Sequence, residues 1–149
     1  MSARRRPPRT VGHPRPPAAP REWALLVAVL TLGAALRVWI LFHTSGLTMD
    51  SPLYIEMAAR LGRVLPPLGP AHHGYPALVS AAGLVIPDRE MPGRIVSLVA
   101  GLTLIAVTYL LARRALPAWG ALAAATLVAL HPLLALSSAL VMTESSFQA

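Results

Sequence analysis

The sequence contains no cysteine, which removes disulfide frameworks and thiolate metal sites from consideration. It contains no lysine either: all 13 basic residues are arginine. Charged residues make up 13% and aromatics 5% of the 149 residues. A soluble domain averages about 25% charged residues. The shortfall comes from long uncharged runs, and with 55% hydrophobic residues and a mean hydropathy of +0.59 it places the chain among integral membrane proteins. The net charge of +7 is unevenly spread. Arg4, Arg5, Arg6, Arg9, Arg15 and Arg21 stand against Glu22 alone in residues 1–22. The remainder has seven arginines against five acids, close to balance. The basic character therefore belongs to the tail, and nucleic acid is not among the expected partners.

Residues 1–22 form an Arg/Pro-rich segment with almost no large apolar side chains. Such a segment cannot bury enough surface to offset its ordering entropy, so the expectation is a disordered cytoplasmic tail that obeys the positive-inside rule and is drawn to anionic membrane lipid. Residues 23–149 form the membrane domain. Trp23–Phe42 is long enough for a first span. Arg37 lies about 21 Å along that span at 1.5 Å per residue, which predicts an interfacial anchor, or a cation facing a buried anionic headgroup. Residues 43–93 are an external loop. Ile95–Ala112 has no charge and reads as the second span, with Arg113-Arg114 marking its cytoplasmic end. Residues 118–139 read as a third span, with His131-Pro132 in its outer half. Small residues four apart, Ser97/Gly101 and Ala121/Ala125, predict close helix packing. The fold class is thus all-α: a polytopic membrane protein with three transmembrane helices and amphipathic loop helices.

Inside the loop, Ser51-Pro52 starts a helix, a cap followed by a residue whose missing N–H is harmless in the first turn. Leu53, Tyr54, Met57, Ala58 and Leu61 share one stripe, opposite Glu56, Arg60 and Arg63. Asp50 stands at the entry to this helix. Ala77–Ile86 is apolar but too short to span, and is expected to be a second interfacial or half-buried helix. With the tail inside, Asp50 and Glu144 both fall on the extracytoplasmic side, each just past an outgoing helix. Together they are a candidate acid/base or metal-binding pair. His72 and His73 share that side. As sequence neighbours they point apart unless the backbone turns, so contact with substrate or solvent is the better expectation than joint metal binding.

This order of features resembles the membrane glycosyltransferases of the GT-C fold over about residues 23–147. The resemblance rests on an arginine-bearing first span followed by Asp50 ahead of Tyr54 and Ala58. It continues through His73-Gly74-Tyr75-Pro76-Ala77-Leu78, then Arg94 with Ser97 and Gly101, then Pro132 followed by Ser137, Ser138 and Thr143-Glu144. The most similar branch is the protein mannosyltransferase-like group (glycosyltransferase family 39-like), which includes the lipid A aminoarabinose transferases. The resemblance implies a partial GT-C fold and transfer of a sugar from a polyprenyl-phosphate donor to a protein, glycan or lipid acceptor outside the cytoplasm, in a bacterial plasma membrane. It implies catalytic roles for Asp50 and Glu144, with Asp50 as the base, and substrate contacts from Arg37, Tyr54, His72, His73 and Arg94. It names no certain cofactor and leaves room for a divalent metal. Where many relatives carry a second acid after the aspartate, this chain has Ser51. Relatives run to several hundred residues, so the chain reads as an N-terminal portion that is inactive alone. The rival readings are a small non-enzymatic polytopic membrane protein and a transporter fragment. The long external loop with its own helix argues against the transporter.

Overall fold

The computed structural model describes residues 19–44, 51–60, 74–88 and 90–140. Among these there are only helices: α1 (Pro20–His43), α2 (Ser51–Arg60), α3 (Gly74–Gly83), α4 (Met91–Ala115), α5 (Ala118–Leu130) and α6 (Pro132–Ser137). Prolines open several of them. Pro20, Pro92 and Pro132 sit in the first turns of α1, α4 and α6, where an amide would have no intrahelical partner.

The two long helices α1 and α4 each meet the length and hydropathy needed to cross a membrane, and α5 is a shorter apolar helix. α4 begins four residues before the span read from the uncharged run and continues through Arg113-Arg114. Its first turns, with Pro92 and Arg94, belong to the loop side.

α1, α4 and α5 pack around one core. The buried positions of α4 recur every four residues: Gly93, Ser97, Gly101, Ile105 and Tyr109. Those of α5 are Ala121, Ala125 and Ala129. The small-residue pairs picked out in the sequence lie on these buried ridges, and with little side chain between them the helix axes draw together. Small residues make up much of the interior, with Leu26, Ile105 and Tyr109 as its large apolar members. Many other large apolar residues face outward, including Trp39 at 59% exposure, Phe42 at 76% and Leu127 at 73%. Lipid solvates such side chains as well as a protein core does, so this distribution suits an integral membrane protein and would be costly in water.

The third apolar segment differs from its expected form. It is divided at His131, whose extended backbone (φ −64°, ψ 120°) separates α5 from α6. Pro132 is the cause. It has no N–H to offer the carbonyl of Val128 four residues earlier, and its ring disfavours a helical conformation at His131.

α2 and α3 form a second, smaller cluster at the start of α4. Ala58, Tyr75 and Val79 are its buried members, with Tyr54, Ile55 and Val96 packed against them. The stripe read from the sequence is present: Met57 and Ala58 are buried, and Glu56 is exposed. It faces α3. The second loop helix is also half-buried as expected, but it spans Gly74–Gly83 and ends before Ile86.

Candidate functional site

The end of the bundle at which α4 begins is built on Tyr75. This residue lies in the first turn of α3, is 3% exposed, and donates its hydroxyl to the carbonyl of Gly93 at 3.1 Å. The same oxygen lies 3.0 Å from Ser97 Oγ. Its ring meets Tyr54 of α2 edge-on, with centroids 5.6 Å apart and planes at 82°. One aromatic side chain therefore ties both loop helices to the first two turns of α4. A tyrosine suits this place because its ring fills the apolar cluster while its hydroxyl satisfies polar atoms at the edge.

Arg94 stands between Gly93 and Ser97 in sequence. Its guanidinium donates to the carbonyl of Leu41, in the last turn of α1, at 3.4 Å, and to Glu90 Oε2 at 3.4 Å. The side chain retains 15% exposure. A cation at a helix C-terminus is favoured by the carbonyls that point out there. Tyr54 and Arg94, both singled out in the sequence, are thus brought to one end of the molecule through Tyr75. Ser51, the first residue of α2, is completely buried.

Just outside this group, Asp88 Oδ1 accepts hydrogen bonds from the amides of Glu90 and Met91, each at 2.8 Å, and so caps the entry to α4. Those two amides, Met91 first, hold the Asp88 carboxyl below its ordinary value, with a smaller contribution from the Arg94 charge.

Arg37 is elsewhere. It does not reach the interface as an anchor would, but is 0% exposed within the bundle. Nη1 donates to Gly33 O at 3.1 Å and to Ala129 O at 2.8 Å, and Nη2 to Val128 O at 3.4 Å. Height along α1, which predicts an anchor, says nothing about which way the residue faces.

A residue the sequence argument passed over lies at the opposite end. Glu22, counted there only as the lone acid of a basic tail, is 7% exposed. Its Oε1 accepts from Tyr109 Oη at 2.5 Å and from Arg113 Nε at 2.5 Å, and its Oε2 accepts from Arg113 Nη2 at 3.3 Å. The available signal was an acid at the very start of an apolar span together with an arginine ending the antiparallel one.

Asp50, His72, His73 and Glu144 lie outside the described residues. Among the described residues no three His, Cys, Asp or Glu side chains gather in a way that could hold a metal ion.

A family model, described as dolichyl-phosphate-mannose-protein mannosyltransferase, matches residues 74–148, from the first residue of α3 to a point beyond α6. No curated protein and no solved structure matches the chain.

Proposed function

The chain belongs to the dolichyl-phosphate-mannose-protein mannosyltransferase family of membrane glycosyltransferases, and on that premise we propose that it serves in transfer of a mannose-type sugar from a polyprenyl-phosphate donor to a hydroxyl of a protein, glycan or lipid acceptor on the extracytoplasmic face. The observation that carries this reading is the fixation of α2 and α3 on the outer end of α4 through Tyr75. That end is remote from Arg113-Arg114, the pair that marks the cytoplasmic side. A transferase using a lipid-linked donor needs a rigid extramembrane platform directly above the bilayer, and these helices supply one.

In this reading Asp50 is the base. Its carboxylate takes the proton of the acceptor hydroxyl as that oxygen bonds to the anomeric carbon, while the bond from that carbon to the phosphate oxygen breaks and polyprenyl phosphate leaves. A hydroxyl is a poor nucleophile, and a positioned carboxylate improves it. Burial of Ser51 supports the assignment, because it anchors the residue covalently next to Asp50. Charge develops on the departing phosphate, and a nearby cation stabilises it. Arg94 suits that role better than Arg37: it keeps some exposure and its two hydrogen bonds are long, whereas Arg37 is enclosed. Glu144 is assigned to the same site, with Tyr54, His72 and His73 contributing substrate contacts.

The test is Asp50→Asn in membranes carrying the product of the native gene, assayed with labelled polyprenyl-phosphate mannose. Asparagine keeps the shape but can take no proton. Turnover should fall by about 10²-fold or more with donor affinity little changed. Near-normal turnover in correctly inserted protein would return Asp50 to a structural role.

A further inference from the structure

Arg37 is a charged side chain with no exposed surface, set in a helix long and apolar enough to cross a membrane, and among the described residues it forms no ion pair. Ionisable residues in that position are rare and carry a function by default. Its partners indicate what the function is. An α-helix leaves its last four carbonyls without intrahelical donors, and in α5 two of these are Val128 O and Ala129 O. The donor that a continuous helix would bring to Val128 O is the amide of residue 132, which is Pro132 and has none. The donor for Ala129 O is lost because the chain turns out of the helix at His131. Both carbonyls accept instead from the guanidinium of Arg37.

The surroundings are shaped for this contact. A Cβ on Gly33 would stand 2.8 Å from Ile105 Cδ1 and 3.4 Å from Arg37 Nη1. One on Gly101 would stand 2.2 Å from Ser138 Oγ and 3.1 Å from Arg37 Nε. Two glycines, from α1 and α4, thus leave the space that the guanidinium and the end of α6 occupy. A planar fork suits two successive carbonyls, which a single ammonium would serve less well.

We infer that Arg37 is a surrogate donor for the amide that Pro132 lacks, and that it thereby fixes the break between α5 and α6 as a permanent bend. The charge is retained in the span to hold a helix discontinuity in one geometry.

The test exploits the absence of cysteine, which permits clean labelling of the full chain. Spin labels at Trp119→Cys on α5 and Leu133→Cys on α6, both largely exposed, report the distance across the break. The unaltered bend should give a single narrow distribution, and Arg37→Leu should broaden it. In Arg37→Leu with Pro132→Ala, residue 132 regains an amide, Val128 O regains its donor, and the distribution should narrow again about a different mean. Thermal stability in detergent should follow the same logic. Arg37→Leu should lower Tm by roughly 5 °C or more, and by half of that or less when Ala replaces Pro132. Equal losses in both backgrounds, or a distance distribution unchanged by Arg37→Leu, would overturn the inference. If Arg37→Leu alone fails to fold, recovery in the double variant supports the inference and continued failure overturns it.

Discussion

Gly101 has no room for a side chain. Its missing Cβ lies where Ser138 approaches α4, and Ser138 Oγ is itself held by the carbonyl of Leu134 at 2.6 Å. Gly101→Ala should therefore destabilise the protein by about 1–3 kcal/mol through overpacking. Ser138→Gly should restore much of that loss. Ser138→Ala should not, because the serine Cβ already stands 2.7 Å from the new methyl position. Thermal denaturation of the four proteins in one detergent distinguishes the cases. At the other end of the bundle, the Glu22 carboxylate serves two donors at once. Glu22→Ala removes the acceptor of the Tyr109 hydroxyl and the carboxylate paired with Arg113, while Tyr109→Phe removes one bond and leaves the ion pair. The loss of Tm should be clearly larger for Glu22→Ala. Equal losses would mean that the ion pair contributes nothing.

At the scale of elements, the cap of α4 confers a pH dependence. Asp88 titrates below its ordinary value in the folded protein because the Met91 and Glu90 amides favour its ionised form. The unfolded chain then binds the proton more readily, so stability rises with pH across the interval between the two values. The contribution is fully present above the ordinary value of 3.8 and is lost as pH falls through the lower folded value. Asp88→Asn keeps an acceptor but carries no charge, and should flatten the acid limb of a plot of Tm against pH. An unchanged limb would assign the acid sensitivity to other carboxylates. The existence and order of the helices were legible in the sequence, because uncharged runs, period and prolines act locally. The division of the third apolar segment was not, although Pro132 was in plain view. A proline can kink a helix or end it, and the difference here depends on whether a donor from another helix reaches the freed carbonyls. That donor is 91 residues away from Val128 in the chain.

For the whole molecule, the proposed topology puts residues 1–22 and the Arg113-Arg114 pair on the cytoplasmic side, with α2 and α3 on the other. A single cysteine placed at Leu84, which is 87% exposed beyond α3, should react with an impermeant thiol reagent in intact cells. One at Ser2 should react only after permeabilisation, and the opposite pattern would invert the topology. That Tyr54 and Arg94 fall at one end of the bundle was foreseeable from motif order. The depth of Arg37 and the pairing of Glu22 were not, because both depend on which face of α1 turns inward. That is decided by Gly33 of α1 together with the glycine and alanines of its neighbours, which its own hydrophobic pattern does not single out.

Glu22 joins the start of α1 to the end of α4, and Arg94 joins the start of α4 to the end of α1. Two antiparallel rods pinned at both extremities, closely at the Glu22 end and by a long bond at the Arg94 end, resist sliding past each other. A slide of even one residue, about 1.5 Å, would pull both pins at once. In the proposed function, the opening that admits a lipid-borne donor is then hinged elsewhere, in the loop helices or the elements packed against this pair.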